Sequence, residues 1–209
     1  MDNIYLYIIT VFFGFLAMMN PIGSTPIFIG LTKGMSNSDK RSIAFKSLVI
    51  AFIIVVIFIV MGKFIFQLFG ITLPAFRITG GILLFITGMR MLLSDNPGVD
   101  TKSMEEMDIK TKTRIAVSPL GIPILAGPGT IAAAMNFVAD GSVLSILITS
   151  GIFLILCILS FLLFISGQKL VNFLGENVIQ VVSRLMGLIL SVIGTEMIIS
   201  GIRGAIEVH

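Results

Sequence analysis

The feature that most constrains the fold is a series of apolar runs, each long enough to cross a lipid bilayer. Residues 50–60, for example, are eleven consecutive apolar residues. A membrane-spanning helix needs about 20 mostly apolar residues, whereas the strands of a transmembrane β-barrel alternate apolar and polar positions. The runs lack that alternation and therefore predict helices. They cover approximately residues 4–32, 43–69, 74–93, 115–138, 142–166 and 178–202.

Composition supports a membrane protein. Hydrophobic residues make up 56% of the chain and charged residues 12%, against about 45–50% and about 25% in soluble domains. A soluble core of 209 residues cannot bury this much apolar surface, so lipid must cover the rest. We therefore predict an all-α, multi-pass protein with one transmembrane domain, residues 1–209. The net charge of +3 is too small to indicate a nucleic-acid-binding face.

Basic residues predict the orientation in the membrane. Lysine and arginine are enriched in cytoplasmic loops, and here they follow the first, third and fifth runs. Both termini are therefore predicted to lie outside the cytoplasmic membrane. The first run has no basic segment before it and no small-residue cleavage signal after it, so we interpret it as a mature span. The basic loop residues are Lys33, Lys40, Arg41, Lys102, Lys110, Lys112, Arg114 and Lys169.

The two halves of the chain resemble each other on either side of a charged linker. Arg77 and Arg184 begin similar segments 107 residues apart, and the same offset relates Pro21 to Pro128. Leu68-Phe69-Gly70 also resembles Phe173-Leu174-Gly175. The predicted units are a first three-helix repeat (1–93), a cytoplasmic linker (94–114) and a second three-helix repeat (115–209).

An odd number of spans in each repeat has a geometric consequence. If the halves share a fold, the second must cross the membrane in the opposite direction to the first. Such inverted repeats are typical of secondary transporters. We therefore predict six helices arranged as two inverted three-helix repeats.

Proline and glycine clusters predict that helices 1 and 4 are broken. Proline removes a backbone donor, and glycine permits backbone angles that other residues avoid. An interruption inside the membrane must line a protein-enclosed or watered cavity, because unpaired backbone groups cannot face lipid. Paired interruptions in corresponding spans indicate a transport site; two packing kinks are the alternative. The clusters are residues 20–26, Asn-Pro-Ile-Gly-Ser-Thr-Pro, and residues 118–130, which end in Ala-Gly-Pro-Gly-Thr.

These two motifs and the duplicated layout resemble the MarC family, which is also described as small neutral amino acid transporters. The resemblance covers essentially the whole chain. It implies movement of small neutral amino acids such as glycine and alanine, with export coupled to protons or sodium as one form of that activity. The substrate-binding positions that the resemblance implies are Asn20, Pro21, Gly23, Ser24, Thr25, Gly127, Pro128, Gly129 and Thr130.

A broken-helix site suits a zwitterion. Half-helices that begin at Gly23 or Gly129 would offer free N–H groups and a positive dipole end to a carboxylate. Carbonyls before the break and the Asn20 side chain would accept hydrogen bonds from an ammonium group. Glycines around the cavity would leave room only for a small side chain.

Charged residues within the spans are candidates for coupling or gating, because an ionised group there is costly. Arg77 and Arg184 correspond under the repeat, and each could order the cavity walls, bind substrate or extend to the interface. Glu196 is the acidic residue that lies well inside a span. Its carboxylate could couple transport to protons, or it could be interfacial or ion-paired. Arg90 lies near a span end.

The remaining chemistry is restricted. His209 is the single histidine and Cys157 the single cysteine, so no metal ligand set, cofactor site or nucleophile pair is indicated. The sequence therefore argues against an enzyme. A passive small-solute channel and a structural membrane protein without transport activity stay open as alternatives, and the oligomeric state is undefined.

Overall fold

The structure is a computed structural model that describes residues 2–93 and 125–207. Every regular element within these two ranges is an α-helix, in agreement with the predicted all-α class. The helices are α1 (Asp2–Met19), α2 (Pro21–Leu31), α3 (Asn37–Phe69), α4 (Leu73–Leu93), α5 (Pro128–Phe137), α6 (Val143–Ile165) and α7 (Gly167–Glu207).

Five segments of the described chain are long and apolar enough to cross a membrane, which confirms a multi-pass membrane protein. The predicted fourth span, residues 115–138, lies partly outside the described residues, and so does the linker 94–114. Six spans and the inverted repeat therefore stay predictions. The five segments are Ile4–Leu31, Asn37–Gly62, Leu73–Leu93, Val143–Ile165 and Asn177–Ile206.

Helix ends follow local signals in the sequence. Ser36 caps α3 by accepting a hydrogen bond from the backbone N–H of Asp39, and Ser142 caps α6 in the same way through Ser145. Serine favours this position because its oxygen satisfies one of the otherwise unpaired N–H groups of the first turn. The helix α3 ends at Gly70, whose φ of 64° is left-handed, a conformation that glycine adopts at little cost.

Helix α7 is interrupted early in its length. Gly175 has φ 75° and ψ 157°, so the segment before it is a short helix and the predicted sixth span follows it. Gly70 and Gly175 end the two similar Leu/Phe-Gly motifs of the sequence, and both have positive φ. The resemblance between those motifs therefore has a counterpart in backbone conformation.

Helices α4 and α7 pack closely in antiparallel directions through glycine. A Cβ atom added to Gly81 would lie 2.5 Å from the carbonyl oxygen of Gly194, and one added to Gly194 would lie 2.6 Å from the carbonyl oxygen of Gly81. Gly88 and Gly187 meet in the same way seven residues along. The small-residue spacing on these two spans thus brings the two backbones into contact, as expected from helix packing in membranes.

Helices α3 and α6 form a second antiparallel contact, made by aromatic rings. Phe52 stacks on Phe153 at a centroid distance of 6.3 Å, and Phe45 approaches Phe161 edge-on at 6.3 Å. Phe15 of α1 is fully buried, and its ring packs against that of Phe153 with a centroid distance of 4.9 Å. One face of α1 thus packs into the core, and this packing positions the C-terminal end of the helix.

Candidate transport site

The first span is interrupted at Asn20, at the position that the sequence predicts. Helix α1 ends at Met19 and α2 begins at Pro21, while Asn20 between them is left-handed, with φ 38° and ψ 62°. Among the described residues other than glycine, Asn20 is the one with positive φ. Asparagine tolerates this region better than most residues because its short side chain bonds to nearby backbone.

The Asn20 side chain joins α2 to α7. Its Oδ1 accepts a hydrogen bond from the backbone N–H of Gly23 at 3.2 Å, and its Nδ2 donates to Oγ of Ser183 at 3.3 Å. Asn20 is 8% exposed and Ser183 is 1% exposed, so both polar groups are satisfied inside the protein. A Cβ atom on Gly23 would collide with the side chains of Asn20 and Ser183, so glycine is required there.

Two hydroxyl groups follow the break and bond to backbone carbonyls on either side of it. Ser24 Oγ donates to the carbonyl oxygen of Met19 at 3.0 Å, and Thr25 Oγ1 donates to that of Pro21 at 2.7 Å. Both residues are buried. A hydroxyl that has used its proton keeps acceptor lone pairs, so these oxygens can still accept hydrogen bonds from a cation.

The second interruption begins α5. Gly127 is extended, with φ −64° and ψ 169°, and Pro128 occupies the first turn, where its missing N–H costs nothing. Within the described ranges, no side chain caps this N-terminus. Thr130 is 4% exposed, and a Cβ atom on Gly129 would lie 2.7 Å from Leu84 of α4. Residues 118–124 of the predicted cluster lie outside the described residues.

The two half-helices pack on different partners. Helix α2 contacts α7, whereas α5 contacts α4, and α4 and α7 are themselves paired. Helix α1, which leads into α2, also contacts α5. Met18 in its last turn packs against a buried cluster that includes Ala132 and Ala133 of α5. The structure thus groups Asn20, Gly23 and Ser183 at one break and sets Gly129 against Leu84 at the other.

The intramembrane charges take different positions. Arg77 is half-buried on α4 and donates from Nε to Oδ1 of Asn136 at 2.8 Å, near the C-terminal end of α5. Arg184 is half-buried on α7 beside Ser183. Arg90 is exposed in the last turn of α4. Glu196 is exposed on α7, two residues beyond the Gly194 contact with α4, and so it projects away from that helix.

Ser183 and Asn136 are polar partners that sequence reasoning missed. Each lies far along the chain from the residue it binds, 163 residues from Asn20 and 59 from Arg77. A weak signal existed for Ser183, because it directly precedes the arginine that corresponds to Arg77 in the repeat. For metals, the described residues include no group of three or more His, Cys, Asp or Glu side chains that could hold an ion.

Comparison with known proteins gives one consistent result. The model of the MarC family integral membrane proteins matches residues 5–206. Similar proteins include the UPF0056 membrane protein YvbG of Bacillus subtilis, 37% identical over 98% of both chains. YhcE of Escherichia coli, also called a UPF0056 membrane protein, is 33% identical over 92% of this chain and 90% of its own. These names state a membrane location and no activity. No solved structure matches the chain.

Proposed function

Since the chain belongs to the MarC family of integral membrane proteins, we propose that it is a secondary transporter of small neutral amino acids, of the glycine and alanine class, across the cytoplasmic membrane. The proposed mode is alternating access, with both termini on the outer side of the membrane. The form of transport to be tested is export coupled to protons or sodium.

The observation that carries the proposal is the buried interruption at Asn20. A left-handed residue between two helices inside a membrane span costs helix hydrogen bonds, and such breaks persist only where they are buried in protein or line a water-filled cavity. Here the break keeps two satisfied bonds, to Gly23 and to Ser183. Both would have to open or rearrange for a ligand to enter, so the proposal requires a second state of the site in which these bonds are broken.

The break offers groups of both kinds that a zwitterion requires. The carboxylate would take the place of Asn20 Oδ1 at the Gly23 N–H, or bind at the N-terminus of α5, which carries no side-chain cap among the described residues. The ammonium would bind the lone pairs of Ser24 and Thr25, whose protons are already donated to carbonyls. Close packing at Gly23 favours a substrate whose side chain is a hydrogen atom or a methyl group.

An inverted repeat is part of the proposal and has support from helix directions. The pairs that the 107-residue offset relates, α4 with the second part of α7 and α3 with α6, each run antiparallel. Helix α2 rests on α7 as its proposed counterpart α5 rests on α4. Alternating access in inverted-repeat transporters is rocking of one repeat against the other around a central site.

Uptake into proteoliposomes tests the function. Wild-type protein should accumulate labelled alanine, and Gly23→Ala should abolish this uptake because the new methyl group collides with Asn20 and Ser183. Gly151→Ala is the matched control, since a Cβ atom at Gly151 meets nothing within 4 Å. Normal uptake by a folded Gly23→Ala protein would refute the assignment of the site.

Counterflow separates the proposal from its alternatives. Saturable exchange of labelled alanine against an unlabelled internal pool identifies a carrier, and unsaturated downhill flux identifies a channel. If wild-type protein gives neither flux nor ligand-dependent thermal stabilisation, a non-transporting membrane protein is the better description.

A further inference from the structure

A basic cavity lies where the start of α3 meets the junction between α6 and α7. Its volume is about 440 Å³, and its lining includes the cations Lys40, Arg41 and Lys169, the amides Asn37 and Gln168, and the ring of Phe164. The three cations come from two separate parts of the chain. The predicted topology assigns both parts to the cytoplasmic side, where anionic lipids are concentrated.

The local field in this cavity favours an anion. Among the described residues that line it, three are cationic and none is acidic. Asp39, the acid of the same helical turn, accepts a 2.6 Å hydrogen bond from Ser36 and belongs to the N-terminal cap of α3. Helices α3 and α7 both begin at the cavity, at Asn37 and Gly167, so their positive dipole ends add to the charge of the side chains.

A separate apolar groove lies one helical turn from the cavity, between α3 and α6. It has a volume of about 200 Å³ and apolar residues alone among those that line it. On α3 it begins at Phe45, one turn after Arg41, and on α6 at Phe161, one turn before Ile165 at the cavity. The cationic cavity and the apolar groove thus follow one another along one helix pair. In the predicted topology, this order runs from the cytoplasmic interface into the bilayer.

We propose that this combined surface binds an anionic phospholipid. The headgroup phosphate lies among Lys40, Arg41 and Lys169, and one acyl chain lies along the groove between Phe45 and Phe161. A free phosphate ion would fill the cavity alone, whereas a lipid accounts for both parts and for their order along the helices. The proposal is independent of the transport function.

Lipid-dependent thermal stabilisation of the purified protein in detergent tests the headgroup part. Phosphatidylglycerol should raise the unfolding midpoint, and phosphatidylcholine and inorganic phosphate should raise it far less. Lys40→Gln/Arg41→Gln/Lys169→Gln should bind phosphatidylglycerol on the order of a hundredfold more weakly, since each cation near an anionic lipid contributes about fivefold. The control is Arg90→Gln/Arg203→Gln, which removes two exposed cations that line neither the cavity nor the groove.

A second pair of variants tests the groove. Val49→Trp fills the groove, and Val60→Trp places the same ring on an exposed position of α3 outside it. Only Val49→Trp should weaken stabilisation by phosphatidylglycerol. Equal stabilisation of the triple variant and its control, equal effects of the two tryptophans, or full stabilisation by inorganic phosphate alone would each overturn the lipid site.

Discussion

Nε of Arg77 donates a 2.8 Å hydrogen bond to Oδ1 of Asn136 and so ties α4 to α5. Asn136 is the second-last residue of α5, where the partial negative charge of the helix end also favours a cation. The contact lies two turns away from Pro128, the start of that helix. Arg77 is therefore in a position to hold α5 against α4, and this geometry favours a structural role over direct contact with the substrate.

Replacing Asn136 by alanine should destabilise the protein without changing substrate affinity. The variant loses a hydrogen bond to a charged group, worth about 1 to 2 kcal/mol in a membrane protein. Asn136→Asp keeps an acceptor for Arg77 and should lose less. Thermal unfolding in detergent measures both changes. A raised KM for alanine uptake at unchanged stability would instead assign the Arg77–Asn136 pair to the substrate site.

Two substitutions of Asn20 should separate its backbone role from its side-chain role. Glycine and alanine both remove the bonds to Gly23 and Ser183, but only alanine is strained in the left-handed region, by about 1 to 2 kcal/mol. The unfolding midpoint should be highest for the wild type, lower for Asn20→Gly and lowest for Asn20→Ala. An Asn20→Ala protein as stable as Asn20→Gly would contradict the left-handed conformation.

Local chemistry explains which features the sequence could predict. The break at Asn20 and Pro21 and the end of α3 at Gly70 depend on residues within a few positions, so proline, glycine and hydropathy suffice to locate them. The predicted span 142–166 differs from α6, Val143–Ile165, by one residue at each end.

Long-range polar pairing explains what the sequence could not predict. Asn20 was expected to accept hydrogen bonds from an ammonium group, yet its Oδ1 already accepts from Gly23 and its amide binds Ser183. Ser183 and Asn136 are ordinary polar residues on otherwise apolar helices, and only tertiary packing selects them. Lys40 and Lys169 likewise appeared as separate topology signals, and the fold is what brings them to one cavity.

Gly81→Ala should weaken the packing of α4 on α7. The added methyl group would meet the Gly194 carbonyl oxygen at 2.5 Å, and a backbone atom cannot move aside as a flexible side chain can. Overpacking of this kind costs about 1 to 3 kcal/mol. Gly151→Ala, which meets no atom within 4 Å, should not lower the unfolding midpoint, because alanine is also the better helix former. Equal midpoints for both variants would show that the helices are further apart.

Tyr7→Phe should loosen the contact of α1 with α5 and α6. Tyr7 Oη donates to the carbonyl oxygen of Phe137 at 2.9 Å and pairs with Thr149 Oγ1 at 2.8 Å. Hydrogen bonds between membrane helices contribute about 0.6 kcal/mol each on average, so a loss of about 1 kcal/mol is expected. Tyr5→Phe is the matched control, because Tyr5 is 64% exposed. Identical unfolding curves for the two variants would show that the hydrogen bonds of Tyr7 do not stabilise the protein.

Glu196→Gln tests the proposed proton coupling. Glu196 lies inside the last span and is exposed on α7, on roughly the opposite side from Gly194, since two helical residues differ by about 200° around the axis. Glutamine keeps the shape and hydrogen-bonding capacity but cannot ionise. We expect alanine uptake by Glu196→Gln to be independent of external pH, and uptake by Glu196→Asp to depend on external pH as in the wild type. Uptake by Glu196→Gln with the wild-type pH profile would exclude this carboxylate from coupling, and its outward position would then point to contact with lipid or with another protein.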